Sequence, residues 1–271
     1  MNRPLHVGTA QIVTRVDDMT GNLALIARFA DDAGRLGVEA LLFSEGVLQG
    51  GSVAPEAVRR AVPADGPECL ALVATARRAG LIVMAGFNER AGDQVFNSYL
   101  IAYPDGTTQV QRKLALNDRE RATGFTAGPV ERLPLEIRGR HARLVICADW
   151  GSEAVQQELD RAGCDLVFLG TAGGGTREEM LRAADLDTPE GLKRYADRMA
   201  RVSIPLDVIA DCRRKRRALV GCNCVGDNGL DLCQEGHSFI VDRDGCLLGL
   251  IPGAPVLEFQ RSCLVHAALE A

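Results

Sequence analysis

Segments with strand-like and helix-like patterning alternate along most of this 271-residue chain, and no linker rich in proline or serine interrupts them. Apolar runs such as Ala40–Phe43 and His141–Ile146 suit strands that are buried on both faces, whereas Leu23 and Ile26 recur at helical spacing. This alternation predicts an α/β fold. A single domain over residues 1–271 is the simplest organisation, because α/β domains routinely reach this size.

The same patterns place the other elements. Further strands are predicted at His6–Ile12, Leu81–Phe87, Val95–Tyr103, Thr107–Arg112, Leu166–Leu169, Leu219–Cys224, His237–Val241 and Cys246–Ile251. Further helices are predicted from Pro67 to Gly80, from Ser152 to Ala162, and from Thr188 to a point before Pro205.

Composition limits the partners of the chain. The net charge of −5 and the pI near 5.5 give no general attraction for polyanions, so we expect no nucleic-acid partner. The basic run Arg213–Arg217 contains no aromatic residues, and we interpret it as a solvated helix end or loop. No apolar run approaches the ~20 residues that span a bilayer, so we expect no membrane association.

The nine cysteines do not form a recognisable disulfide framework, and the segment Met1–Ile12 lacks the apolar core of a signal peptide. We therefore expect reduced thiols and a cytoplasmic protein. A zinc site is the alternative for one group of residues, but no C-x-x-C pair occurs among them and buried core thiols explain them better. That group comprises Cys212, Cys222, Cys224, Cys233 and His237.

Three chemically useful side chains each follow an apolar strand directly: Glu45, Lys113 and Cys147. Ligands of open α/β sheets bind outside the carboxyl ends of the strands, so convergence of the three is geometrically plausible. Cleavage of an amide-like bond needs a nucleophile, a proton shuttle and a group that stabilises the developing oxyanion. A nearby ammonium and a following helix N-terminus would both favour the thiolate form of Cys147.

Three stretches around these residues resemble the motifs of the carbon-nitrogen hydrolases, the nitrilase-like superfamily: Leu41–Glu45, Arg112–Leu116 and Val145–Asp149. Supporting segments resemble the family in the same order along the chain. They are Thr9–Gln11 with Asn22-Leu23, Asn97-Ser98 before Pro104–Gly106, Phe125–Gly128, and Gly236–Asp242. Each motif alone is weak, but their order makes the set specific.

The resemblance implies a role for each matching residue. Glu45 would be the general base, Lys113 would stabilise the oxyanion, Cys147 would be the nucleophile, and the backbone N–H of Ala148 would complete the oxyanion hole. Glu120 is our candidate for a second, accessory glutamate, with Asp118 as its rival.

The residues after the nucleophile are candidates for the substrate pocket. Asp149 could instead cap or orient the following helix, and Trp150 could instead be a buried core aromatic. The chain lacks the Cys-Trp-Glu sequence of true nitrilases, which favours a small amide or ureido substrate over a nitrile. The scheme needs no metal and no cofactor.

The resemblance also implies an architecture: a four-layer αββα sandwich in which two mixed sheets face each other, assembled into a homodimer or larger homo-oligomer. Hydrolysis through a thioester is the leading hypothesis for function. Transfer of the acyl group to an amine, and a non-catalytic binding or regulatory role, are the alternatives. The long charged segment 176–217 is interpreted as part of the substrate entrance or of a subunit contact.

Overall fold

The computed structural model describes residues 3–202 and 205–270. In chain order the strands are β1 Leu5–Gln11, β2 Ala40–Leu42, β3 Ile82–Ala91, β4 Gln94–Ala102, β5 Thr108–Arg112, β6 Leu135–Ile137, β7 Arg140–Ile146, β8 Leu166–Gly170, β9 Gly174–Gly175, β10 Ala218–Cys222, β11 Val225–Asp227, β12 Cys233–Val241, β13 Leu247–Gly253 and β14 Cys263–Leu269. The α-helices are α1 Met19–Arg35, α2 Pro55–Arg59, α3 Pro67–Ala79, α4 Asp118–Ala122, α5 Glu153–Arg161, α6 Pro189–Val202 and α7 Leu206–Lys215.

The strands form two mixed sheets. The first has six strands in the order β14-β1-β2-β3-β4-β5, in which β1, β2 and β3 are parallel and the others pair antiparallel. The second has eight strands, with the order β11-β12-β10-β8-β7-β6 and with β9 and β13 paired to β12. Its central strands β7, β8 and β10 are parallel. The carboxyl ends of β2, β7 and β8 therefore carry the loops that build the site.

Helices cover the outer face of each sheet, so the fold is the predicted four-layer αββα sandwich. Alternate residues of β2 show how the layers form, because Leu41 packs toward α1 and α3 whereas Leu42 packs between the sheets. The core between the sheets includes Val7, Met84, Leu144, Phe168 and Val220. On the far side, α5 and α7 pack on the second sheet through Val155, Leu159 and Cys212.

The predicted strands and helices are present with small shifts at their ends. The sequence patterns missed α7 and β14, and also the short elements α2, α4, β6, β9 and β11. Pro205, predicted to help end the preceding helix, stands at the start of α7. Residues 203 and 204, within the charged segment 176–217, lie outside the described residues.

The interpretation of the basic run 213–217 is partly wrong. Its first three residues do form the last turn of α7, as expected for a helix end. Arg217, however, is buried, and its guanidinium forms an ion pair with Asp160 of α5. Within the described ranges 3–202 and 205–270, none of the helices combines the length and apolar character needed to cross a bilayer.

Candidate active site

Glu45 lies just past the carboxyl end of β2, where the chain turns sharply away from the sheet. Its backbone N–H donates to the Thr171 carbonyl in the loop after β8, at 3.2 Å, which joins the two sheets at this point. The next residue, Gly46, has a positive φ of 58°. Gly86 of β3 passes so close that a Cβ there would collide with the backbone N of Gly46. Glu45 itself is only 4% exposed.

Lys113 follows β5 and directs its ammonium at two carboxylates. Its Nζ donates to Oε1 of Glu45 at 2.8 Å and to both carboxylate oxygens of Glu120 at 2.8 and 2.9 Å. Burial alone would lower the pKa of Lys113, but the neighbouring Glu45 and Glu120 raise it above its ordinary value. Lys113 therefore stays a fixed cation inside the protein.

Glu120 is positioned by a capping box at the start of α4. The side chain of Asn117 accepts from the Glu120 backbone N–H at 2.9 Å, and Glu120 Oε2 accepts from the Asn117 N–H at 2.8 Å. Glu120 is fully buried beside Lys113. Its rival Asp118 has a side chain that is 98% exposed and pairs with Arg121 on the surface, so it does not contact this cluster.

Asn97 of β4 belongs to the same cluster, although sequence reasoning singled it out only as part of a resembling segment. Its Nδ2 donates to Glu45 Oε1 and to Glu120 Oε1, both at 2.7 Å. Its backbone carbonyl accepts from the Lys113 N–H at 2.8 Å. The signal that could have found it is the hairpin itself, which returns β5 beside β4 and so brings residue 97 next to residue 113.

Cys147 occupies the turn between β7 and a short 3-10 helix, Cys147–Gly151. Its φ of 48° lies in the left-handed region, which is costly for a residue with a Cβ, and strained residues of this kind recur at active sites. The thiol is partly buried, and the Glu45 carboxylate is near enough to raise its pKa. Glu45 thus neighbours both the ammonium of Lys113 and the thiol of Cys147.

Opposing effects act on the pKa of the Cys147 thiol. Burial and the neighbouring Glu45 carboxylate raise this pKa to about 12, although the Lys113 ammonium acts to lower it. The ammonium thus acts in the direction expected from the sequence, but burial and Glu45 have the larger effect. Desolvation and a nearby negative charge both disfavour the anion, and together they outweigh the cation.

The residues just after Cys147 take up different positions. Ala148 is exposed and is the second residue of the 3-10 helix, whose first N–H groups have no partner within the helix. Asp149 is fully buried: Oδ1 accepts from the N–H groups of Leu114 and Ala115 at 3.0 and 2.6 Å, and Oδ2 accepts from Arg132 at 2.7 Å. Asp149 therefore ties the turn at residue 147 to the loop after Lys113.

Trp150 lies away from Glu45. It is partly buried against the core between α5, α7 and the second sheet, and it lines a surface depression together with Gln156 and Asp207. Asp149 and Trp150 thus contact structural partners, and neither lines the cavity beside Glu45.

A cavity of about 150 Å³ opens beside Glu45. Its wall includes polar side chains from several elements, among them Asn88, Asn97 and Asn117, and the glycine-rich loop after β8 at Ala172–Gly174. The volume suits a small molecule, and a concave site with a few convergent polar groups is the usual form of a ligand pocket.

The remaining cysteines have ordinary structural surroundings. All nine are free thiols, and Cys222 and Cys224 are buried. Cys222 donates to the Ala10 carbonyl at 3.4 Å and Cys224 to the Ser44 hydroxyl at 2.9 Å. No group of three or more His, Cys, Asp or Glu side chains is arranged to hold a metal within the part of the chain that the structure describes.

Comparison with solved structures shows the same fold. A carbon-nitrogen hydrolase superfamily protein of Xanthomonas campestris, with an arsenic adduct in its active site, is 22% identical and has a TM-score of 0.77 over 100% of this chain and 92% of its own. A Cys→Ala variant of an amidase from Nesterenkonia, a member of the nitrilase superfamily, is 19% identical with a TM-score of 0.77 over 99% of this chain and 92% of its own.

Sequence comparison identifies relatives as well. A hydrolase of Mycobacterium tuberculosis strain H37Rv is 28% identical over 179 residues, which are 63% of this chain and 62% of the relative. A hydrolase of Pseudomonas protegens is 28% identical over 173 residues, covering 63% and 60% of the two chains. The chain thus spans about three fifths of the length of these curated relatives.

The carbon-nitrogen hydrolase family model matches residues 6–188, which is more than half of the 271 residues. The chain therefore belongs to the carbon-nitrogen hydrolase family.

Proposed function

We propose that this protein hydrolyses a non-peptide C–N bond of a small amide or ureido compound, with Cys147 as the nucleophile. The observation that carries the proposal is the position of the Glu45 carboxylate. It borders a small cavity, contacts the Lys113 ammonium and lies near the Cys147 thiol. A base, a cation and a nucleophile are the groups that acyl transfer from an amide requires.

In the first half of the reaction, Glu45 removes the proton of the Cys147 thiol as the sulfur attacks the carbonyl carbon. The negative charge that develops on the carbonyl oxygen is stabilised by the Lys113 ammonium and the backbone N–H of Ala148. Collapse of the tetrahedral intermediate breaks the C–N bond. Glu45 gives its proton to the departing nitrogen, so that ammonia or an amine leaves and a thioester to Cys147 remains.

In the second half, Glu45 takes a proton from a water molecule, which attacks the thioester carbon. The C–S bond breaks, the acid leaves, and the proton returns to the sulfur of Cys147. The raised pKa of the thiol suits this cycle, because a neutral thiol holds its proton until Glu45 removes it in the attacking step.

Glu120 and Asn97 act as positioning residues in this scheme. Glu120 holds Lys113 through both carboxylate oxygens, and Asn97 connects the two carboxylates through one amide group. Buried hydrogen bonds of this kind fix the geometry of a site before substrate arrives. Replacing either residue should leave the chemistry possible but misaligned.

The relatives support the reaction class. The Nesterenkonia amidase has been seen in complex with butyramide as a Cys→Ala variant, and with acrylamide added to its active-site cysteine. These are properties of that amidase, and its likeness to this chain is in the fold.

We further propose that residues 1–271 act as one domain and assemble into a homodimer or larger homo-oligomer, which light scattering on the purified protein would test.

Ammonia release tests the proposal directly. The wild-type chain, Cys147→Ala and the matched control Cys246→Ala, which alters an exposed thiol, are assayed with butyramide, 3-ureidopropionate and butyronitrile. We expect ammonia from the amide or the ureido compound with the wild type and the control, and none above background with Cys147→Ala. Turnover by Cys147→Ala at the wild-type rate would refute the nucleophile. Added hydroxylamine, which would give a hydroxamate, separates acyl transfer from hydrolysis.

A further inference from the structure

A second cavity, of about 170 Å³, opens at the end of the sandwich opposite to Glu45. It lies at the start of β7, the strand whose other end leads into Cys147, so the seven residues of that strand, roughly 20 Å, separate it from the active site. Its wall includes the turn between β6 and β7 and the turn between β12 and β13. We call it the arginine cavity after the charged residues of its wall, Arg3, Arg138, Arg140 and Arg243, with Asp165.

The wall of the arginine cavity is strongly basic although the chain as a whole is acidic. Its four arginines and one aspartate carry a formal charge of +3, whereas the whole chain carries −5. Just outside the wall, Glu39 forms an ion pair with Arg138 and also accepts from the His6 N–H at 3.2 Å. Even with Glu39 counted, two positive charges stay without a matching carboxylate. Positive charges held together repel one another, so the cluster favours an incoming anion.

Arg140 is the most buried of the four arginines and still has donors to spare. Its side chain is 10% exposed, and Nη2 donates to the carbonyls of Leu269, at 3.5 Å, and Glu270. Its Nη1 lies 3.7 Å from the Asp165 carboxylate, which is an ion pair but is longer than a hydrogen bond. Within the described part of the chain, the N–H groups on Nε and Nη1 therefore have no acceptor.

Two further guanidinium groups can reach an anion in the arginine cavity. Arg243, in the turn between β12 and β13, forms no hydrogen bond and no ion pair with any residue in the ranges 3–202 and 205–270. Arg3 has an ion-pair contact with Glu39, but the distance is 3.8 Å, again beyond a hydrogen bond. The donors thus come from three separate segments of the chain around one concave surface.

We propose that the arginine cavity binds a phosphoryl group, either as inorganic phosphate or as the phosphoryl end of a small phosphomonoester. A phosphoryl group presents three or more oxygens in different directions, which suits guanidinium groups that approach from Arg3, Arg140 and Arg243. A carboxylate offers two oxygens in one plane and a single charge. A phosphomonoester carries a charge of about −1.5 to −2 near pH 7, which equals the two uncompensated positive charges.

Isothermal titration calorimetry on the full chain tests this proposal. Inorganic phosphate and glycerol 3-phosphate are titrated separately at pH 7.5, with sodium chloride keeping the ionic strength constant. We expect Arg140→Gln to weaken binding about 10-fold or more, the effect of losing a buried charged donor, and the more exposed Arg243→Gln to weaken it about 3-fold or more. Asp165→Asn removes the negative charge of the wall and should tighten binding. The probe that binds more tightly identifies the source of the phosphoryl group.

Matched variants separate a built site from a general effect of charge. Arg59→Gln removes the same charge from an exposed ion pair with Glu56 on α2 and should leave the affinity within about 2-fold of the wild type. Arg140→Lys, which keeps the charge but loses the planar fork, replaces Arg140→Gln if that variant does not fold, and it should still weaken binding. Absence of binding by both probes would overturn the proposal. So would a loss of affinity in Arg59→Gln as large as that in the Arg140 and Arg243 variants.

Discussion

The substitution Glu45→Gln should stop amide hydrolysis and yet make Cys147 more reactive toward alkylating agents. Both effects follow from the position of the Glu45 carboxylate, which is the proposed base and also a negative charge beside the thiol. Glutamine keeps the size of the side chain but neither accepts the proton nor carries the charge. Hydrolysis should therefore fall by about 10²- to 10⁴-fold, the usual contribution of a general base.

The pKa of Cys147 sets the size of the opposite effect. At a pKa of about 12, roughly one thiol in 100,000 is ionised at pH 7, against about 3% for an ordinary thiol of pKa near 8.5. Removing the charge of Glu45 leaves Lys113 as the charged neighbour that favours the thiolate, while burial stays the same. A fall of at least about one pKa unit, and hence at least about a tenfold rise in the alkylation rate at pH 7, is expected.

The assay is alkylation with iodoacetamide between pH 6 and 10, followed by mass spectrometry of the peptides. Cys246, which is exposed, is the internal reference in each sample. In the wild type, Cys147 should react more slowly than Cys246 at pH 7 and accelerate with pH without reaching a plateau. The opposite result would be that Cys147 is alkylated faster than Cys246 at pH 7 and more slowly after Glu45→Gln. That result would show a preformed thiolate and would refute the proposed effect of Glu45 on the thiol.

Three further predictions concern stability. Asp149→Asn breaks the buried pair with Arg132 and should cost about 3–5 kcal/mol in urea unfolding; a loss below about 1 kcal/mol would contradict the tie between the two loops. Gly170→Ala places a Cβ against the Tyr99 hydroxyl and should cost about 1–3 kcal/mol, so an unchanged melting temperature would argue against the contact. Burial lowers the pKa of His237, so the folded state disfavours protonation of this side chain, and the free energy of unfolding should fall as the pH drops below about 6.5. In His237→Asn, whose asparagine tolerates the positive φ of 77°, the difference in unfolding free energy between pH 7 and pH 5 should become smaller. An unchanged difference would exclude His237 as its source.

The strands and helices that frame the site could be predicted from the sequence because their patterns are local. Ala40–Leu42 is an apolar run that ends one residue before Ser44-Glu45, and the turn at Pro104–Gly106 defines the hairpin that ends at Lys113. The order of the three motifs then indicated the family. Strand β14 escaped prediction because it is an edge strand whose residues are mostly half-buried, which leaves a weak periodic pattern.

What the sequence could not supply was the environment of the side chains. The sign of the pKa shift at Cys147 depends on burial and on the distance to Glu45, which residue types and spacing do not contain. The same holds for Asn97, whose bridging of two carboxylates arises from strand register, and for Asp149, which turned out to hold neighbouring backbone. Arg217 was misjudged because a run of five basic residues looks solvated, whereas its partner Asp160 lies more than fifty residues away in the chain.

The thioester intermediate on Cys147 can be trapped and weighed, which tests the proposed nucleophile directly. The wild-type chain is mixed with the best substrate from the ammonia-release screen, quenched in acid within milliseconds to seconds, and analysed by mass spectrometry of the intact protein and of its peptides. The proposed mechanism predicts a mass increase equal to the acyl group of the substrate, located on the peptide that contains Cys147 and absent from Cys147→Ala. Turnover with the acyl group on another residue, or Cys147→Ala releasing product at the wild-type rate, would contradict it.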